Sequence, residues 1–188
     1  MNPPFRMIED EVRRERIYVM LLMAFLFGAG VGTMLCAGIY RRGVYTMSAS
    51  AMPGFSDRLV EHLLWLLAIG VFSLRPSGTS LIPTVFFSKG LLISCRAAGL
   101  MLFSEESGLY EALLFYLPDI LFFLLIGSLI GERGIENARL LSKKRPALRF
   151  ANLYVLADCK TAFRVFLILT AVTAETVWEV FLTPLLLK

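Results

Sequence analysis

The sequence predicts an all-α polytopic membrane protein, a bundle of about five transmembrane helices, and three observations carry that reading. Hydrophobic residues make up 57% of the 188 positions and charged residues only 18%, more apolar and less charged than a soluble domain of this length. The apolar residues fall in blocks, and several blocks reach the roughly 20 residues needed to cross the hydrocarbon layer. The basic residues gather at the ends of those blocks, where they report orientation.

The first 16 residues are polar and charged. Phe5, Ile8 and Val12 recur at helical spacing, which predicts a short amphipathic helix on the membrane surface. Residues 17–188 form a single transmembrane domain. Its first span is 17–40; Arg13, Arg14 and Arg16 precede it as the n-region of a signal would, but the block is too long for an h-region and has no clear small-x-small cleavage site, so it reads as retained. Gly28, Gly30 and Gly32 within it permit close helix contact in lipid.

A polar loop, 41–58, leads to the second span at 58–74, which is broken by Arg75-Pro76-Ser77-Gly78. The third span is 79–103, with Pro83 in its first turns, where a missing amide donor matters least. Glu105-Glu106-Ser107-Gly108 turns the chain into the fourth span, 109–131. There Pro118 predicts a kink, and Gly127 and Gly131 form a second small-residue face. Residues 132–160 are basic and split by Pro146, with Leu148 to Leu156 lying along the interface. The fifth span is 161–187.

With the N-terminus inside, the inner side holds Arg6, Arg13, Arg14, Arg16, Arg75 and the seven Lys and Arg residues of 132–160, twelve in all. The outer side holds four: Arg41, Arg42, Arg58 and Lys188. This excess places the N-terminus in the cytoplasm and the C-terminus outside.

Lys89, Arg96, Asp119, Glu175 and Glu179 fall inside spans. Each would cost roughly 2.5–3.5 kcal/mol if it faced lipid, so they are expected to face protein or water, and one another. By rise per residue, Lys89, Asp119 and Glu175 lie within roughly 5 Å of their span midpoints, and Arg96 and Glu179 about 7 Å toward the outer side. The expected pairs are Lys89 with Asp119 or Glu175, and Arg96 with Glu179. Glu61, Glu111 and Arg164 are nearer the interfaces, where snorkelling is cheaper. Such pairs either fix helix register or line a polar pathway; matched depth fits both.

Nothing reads as an active site. The single histidine, His62, provides no Ser-His-Asp arrangement. Three scattered cysteines, Cys36, Cys95 and Cys159, make neither a disulfide framework nor a zinc site. Glu175 and Glu179, four apart on one face, lack a second carboxylate-bearing helix and further histidines for a di-metal site. The sequence therefore predicts no enzyme, no metal and no cofactor. The +4 formal charge is not arranged as a nucleic-acid surface.

Three segments carry a family resemblance. Phe86-Phe87-Ser88-Lys89-Gly90 in the third span, Leu113-Leu114-Phe115-Tyr116-Leu117-Pro118-Asp119 in the fourth, and Glu179-Val180-Phe181-Leu182-Thr183-Pro184 in the last resemble, in order and spacing, the Phe-x-x-Lys-Gly, Leu-Pro and Glu-x-x-x-Thr-Pro elements of the stage II sporulation protein M family. Asp119 and Arg96 depart from that pattern. The resemblance implies a non-catalytic scaffold in the bacterial cytoplasmic membrane. Its partners would be membrane lipid and the single-span stage II sporulation proteins D and P, which remodel peptidoglycan during engulfment. It singles out Lys89, Gly90, Pro118, Glu179, Thr183 and Pro184, with Thr183-Pro184 breaking the last helix and Thr183 bonding a freed carbonyl. The 41–58 loop, with Arg41, Arg42 and Arg58, is the candidate outer contact. A permease subunit, ATPase-coupled or not, is the competing expectation, favoured by the Pro118 break and the intramembrane charges; a homo-oligomer is left open.

Overall fold

A computed structural model describes residues 3–41, 55–103, 108–143 and 159–186, and among them every element is helical. α1 is Pro3–Arg41, α2 Phe55–Ser73 and α3 Gly78–Phe103. α4, Gly108–Phe122, passes through a π-helical turn at Phe123–Gly127 into α5, Ser128–Lys143. α6, Cys159–Val177, passes through a second π turn at Trp178–Leu182 into the short α7, Thr183–Leu186. The basic 144–158 segment and most of the 41–58 loop lie outside the described residues.

Among the described residues, three helical stretches are long and apolar enough to cross a membrane: Glu11–Ile39, Gly78–Leu102 and Gly108–Ser142. α2 and α6 carry more charge, Asp57, Arg58 and Glu61 in the former and Lys160, Arg164 and Glu175 in the latter.

Two elements run further than the sequence predicts. The N-terminal segment is not a separate surface helix: α1 is one continuous helix of 39 residues. No glycine or proline interrupts it between Arg6 and Phe27, so its polar and apolar parts share one axis. The fourth span likewise continues past Gly131 to Lys143. α5 is held against α1 where Tyr18 Oη donates to Glu132 Oε2 at 2.8 Å and Arg14 Nε lies 3.2 Å from Glu132 Oε1.

α3 is the central helix, packed against α1, α2, α4 and α5. The core is built on Ile17, Leu21 and Phe25 of α1, Ile69 of α2, Ile82, Val85, Phe86 and Ile93 of α3, Phe123 and Ile135. The α1–α3 contact is backbone against backbone. A Cβ at Gly28 would strike the carbonyl of Phe87, one at Gly32 the carbonyl of Leu91, and one at Gly90 the carbonyl of Phe25. Both small-residue faces are used inside the chain, because Gly127 and Gly131 abut Phe86, Phe123, Leu21 and Ile82. On the far side of α1, Val19, Met23, Phe27 and Met34 are exposed.

The turn between α2 and α3 follows from its sequence. Arg75 N–H donates to Phe72 O at 3.1 Å to close α2, and Gly78 N–H donates to Arg75 O at 2.9 Å to open α3. Gly78 lies so near the Phe72 carbonyl that no side chain fits there. This turn also approaches α5, since a Cβ on Gly78 would lie 3.0 Å from Ala138.

A buried charge cluster as the candidate functional site

Four helical stretches bring charged side chains to one place. On α2, Arg58, Glu61, His62 and Trp65 recur at i, i+3, i+4 and i+7, one face of a helix. α3 presents Lys89 and Arg96 seven residues apart on one face. α4 contributes Asp119, and the last helix contributes Glu175, Thr176, Glu179 and Thr183. His62, Lys89, Asp119, Glu175 and Glu179 are all buried.

Lys89 Nζ donates to Asp119 Oδ2 at 2.9 Å, the first of the expected pairs. Its ammonium also lies 5.9 Å from the ring centroids of Trp65 and of Phe123, within range of a cation–π attraction. Gly90, the next residue, faces the other way onto α1. One dipeptide therefore positions a charge on one side and a backbone contact on the other.

The second expected pair does not form. Arg96 Nη1 donates instead to Glu61 Oε1 at 2.6 Å. Glu61 Oε2 accepts from Arg58 Nη1 at 3.3 Å, and Arg58 Nε lies 3.7 Å from Glu179 Oε2. The depth match between Arg96 and Glu179 left α2 out. Glu61 and Arg58 point inward into the bundle and are half-buried, so they are not snorkelling groups at an interface.

His62 is the residue that the sequence reading passed over, and it sits at the middle of the cluster. Its Nε2 is 3.3 Å from Glu179 Oε2, and its Nδ1 is 3.6 Å from Asp119 Oδ1 and 3.8 Å from Glu175 Oε2. An ionised carboxylate only accepts hydrogen bonds, so the Glu179 contact assigns the proton of a neutral imidazole to Nε2. The lone pair on Nδ1 then faces Asp119 and Glu175. Among the described residues, Asp119 Oδ1 and both oxygens of Glu175 have no hydrogen-bond partner. The second carboxylate-bearing helix that the sequence reading found wanting is thus α4, and the histidine comes with it.

Both π turns adjoin this cluster. Phe123 opens the first, four residues after Asp119, and packs against Phe86 with ring centroids 4.8 Å apart and planes tilted by 50°. Glu179 lies within the second. π turns accommodate one extra residue and occur often at functional sites. The irregularity expected at Pro118 falls just beyond it, at 123–127; α4 itself continues through the proline. Thr183-Pro184 does not break the last helix, which widens and resumes as α7. Thr183 Oγ1 donates to Trp178 O at 3.1 Å, so the hydroxyl supports the widened turn as a carbonyl-bonding residue should.

No family model, curated protein or solved structure matches the chain.

Proposed function

We propose that the chain is a non-catalytic scaffold of five membrane spans in a bacterial cytoplasmic membrane, one that assembles or localises single-span peptidoglycan hydrolases during engulfment. The observation that carries this reading is the inward, mutual pairing of the buried charges. Lys89 and Asp119 are each 1% exposed and bonded to one another, an arrangement that locks helices in register while leaving the outer surface apolar. The partner class comes from the resemblance of the Lys89-Gly90, Pro118 and Glu179 to Pro184 segments to the stage II sporulation protein M family.

α2 and the α6–α7 stretch serve as the second and fifth spans, because Arg58, Glu61, His62, Glu175 and Glu179 face the cluster and leave Val60, Leu64, Leu67, Leu167, Leu169 and Leu185 exposed. The orientation, N-terminus inside and C-terminus outside, rests on the basic-residue count; the segments that meet agree only in sharing one side. The start of α1 and the α2–α3 turn, both assigned to the inner side, converge on α5. Purification in mild detergent from the native host, followed by mass spectrometry, tests the proposal. Recovery of a single-span cell-wall hydrolase, reduced by Lys89→Met or Glu179→Gln in a folded protein, is the expected result.

The unpartnered oxygens of Asp119 and Glu175 favour one second reading, a permease subunit with a polar path through the cluster. That reading requires cysteines placed at 89, 96, 119 and 179 to react with water-soluble reagents, and co-purification of a nucleotide-binding ATPase. Inaccessible cysteines and a recovered hydrolase reject it.

A further inference from the structure

The buried charges of the cluster do not balance. Glu61, Asp119, Glu175 and Glu179 supply four carboxylates, and Arg58, Lys89 and Arg96 supply three cations. The deficit is local. Glu61 has two arginines, Glu179 has Arg58 and the His62 Nε2 proton, and Asp119 Oδ2 has Lys89. Asp119 Oδ1 and the whole Glu175 carboxylate are left facing the lone pair of His62 Nδ1. With the imidazole neutral, three acceptors from three helices, more than nine-tenths buried and without a donor between them, repel one another unless a proton or a metal cation lies among them.

We infer that His62 Nδ1, Asp119 Oδ1 and the Glu175 carboxylate form a binding site for a first-row divalent cation of the Zn2+ class. One donor atom from each residue lies within 4.8 Å of the other two, and two of the separations are 3.6 and 3.8 Å. Metal–ligand bonds of about 2.0–2.2 Å imply ligand separations of roughly 3.3–3.8 Å in tetrahedral to trigonal arrangements, so small side-chain rotations close the site. One nitrogen with two carboxylates suits Zn2+, Mn2+ or Fe2+ and is a poor set for a soft monovalent metal.

Two of the three donors are already oriented by a second contact. Glu179 holds the His62 ring through Nε2, the carboxylate–histidine–metal arrangement that fixes tautomer and raises ligand basicity. Lys89 holds Asp119 through Oδ2 and leaves Oδ1 turned inward. The inference does not depend on the scaffold reading; a metal here would tie α2, α4 and α6 together in a scaffold or a permease alike. Binding also displaces any proton that balances the excess carboxylate, so uptake at neutral pH releases protons.

The test uses the full chain, purified in mild detergent after growth with added Zn2+ and, in parallel, stripped with chelator. Metal content is measured by mass spectrometry, and the stripped protein is titrated with Zn2+ and with Co2+ as a spectroscopic probe. The expected result is one Zn2+ per chain, a visible Co2+ spectrum of low coordination number, and proton release on uptake. Glu175→Gln should lower affinity at least 100-fold, and Glu179→Gln about 10–100-fold by releasing the imidazole. All three cysteines remain in both variants, so thiol binding cannot produce the difference. Equal binding by wild type and a monodisperse Glu175→Gln protein overturns the site, as does wild type that takes up no metal; a proton then balances the cluster. Should the variant not fold, the wild-type Co2+ titration decides alone: absence of the low-coordinate spectrum, or a spectrum with thiolate charge-transfer bands, overturns the site.

Discussion

Replacing Lys89 by methionine should destabilise the protein much more than replacing Asp119 by asparagine, although the two residues form one ion pair. An isolated buried pair would lose about 3–5 kcal/mol whichever partner is removed, because either change strands a charge. This pair is not isolated. With chelator present and His62 neutral, the cluster holds three cations against four carboxylates. Lys89→Met widens that deficit to two charges and strips Asp119 Oδ2 of its 2.9 Å partner, so the full loss of about 3–5 kcal/mol is expected.

Asp119→Asn closes the deficit to zero. The amide oxygen still accepts from Lys89, and its NH2 can donate toward His62 Nδ1 or Glu175, which now lack a donor. What remains is an ion pair exchanged for a hydrogen bond with one charged partner, about 1–2 kcal/mol. The assay is unfolding of the chelated protein in mixed micelles, with helicity read against denaturing detergent. A ratio of at least two between the variants is expected. An Asp119→Asn protein as unstable as Lys89→Met would refute the charge accounting.

Glycine substitutions should sort by what their Cβ meets. Gly28→Ala, Gly32→Ala and Gly90→Ala each drive a methyl into backbone of the partner helix and should each lower stability by about 1–3 kcal/mol or more; Gly30→Ala meets nothing within 4 Å and should be neutral or gain up to about 1 kcal/mol of helix propensity in the same unfolding assay. Double-mutant cycles should give Arg96 a coupling of roughly 0.5–1 kcal/mol with Glu61, reduced by the partial exposure of both groups, and little or none with Glu179. Thr183→Val removes the hydroxyl bond to Trp178 O and should cost about 1 kcal/mol in a melt, whereas Thr183→Ser should restore most of it. Alkaline phosphatase fused after Lys188 should be active, and a fluorescent protein fused within 144–158 should fluoresce; the opposite pattern overturns the orientation.

The parts of the fold that depend on bulk apolar content were legible in the sequence: the helical class, the apolar blocks, the turn at Arg75-Pro76-Ser77-Gly78, the close packing at Gly28 and Gly32, and the pairing of Lys89 with Asp119. The last succeeded because both residues sit near the middle of long apolar helices, where depth alone limits the choice of partner. The Arg96 pairing failed because depth was counted only for charges well inside a span. Glu61 begins a helix, and a residue near a helix end is ordinarily free to reach water. What turns it inward is its position on the face shared with Arg58, His62 and Trp65, a spacing present in the sequence that gains meaning only when α3 and the last helix are known to lie opposite. The continuity of α1 was legible too, in the absence of any breaker between Arg6 and Phe27. Polarity alone argued for a separate segment, and polarity does not end a helix.

His62 shows why a single titratable residue is hard to weigh along the chain. Judged alone, one histidine has no ligand set. Its partners are 57 and 113 residues away in sequence, at Asp119 and Glu175, and only tertiary packing supplies them. The π turns add the final step. Phe123–Gly127 and Trp178–Leu182 each insert one residue into a helix next to a cluster carboxylate. Beyond the insertion the helix face is rotated relative to a regular helix. In α4–α5 this lets Asp119 point at Lys89 while Gly127 and Gly131 still meet Phe86 and Leu21 on the other side of the bulge. In the last helix Glu175 faces His62 Nδ1 and Glu179 faces Nε2, so the two carboxylates lie at opposite nitrogens of the ring, and Glu179 alone bonds it. The α4–α5 and α6–α7 helices thus each carry one π turn beside a buried cluster carboxylate, the position at which a change of helix face bears on how the cluster groups meet.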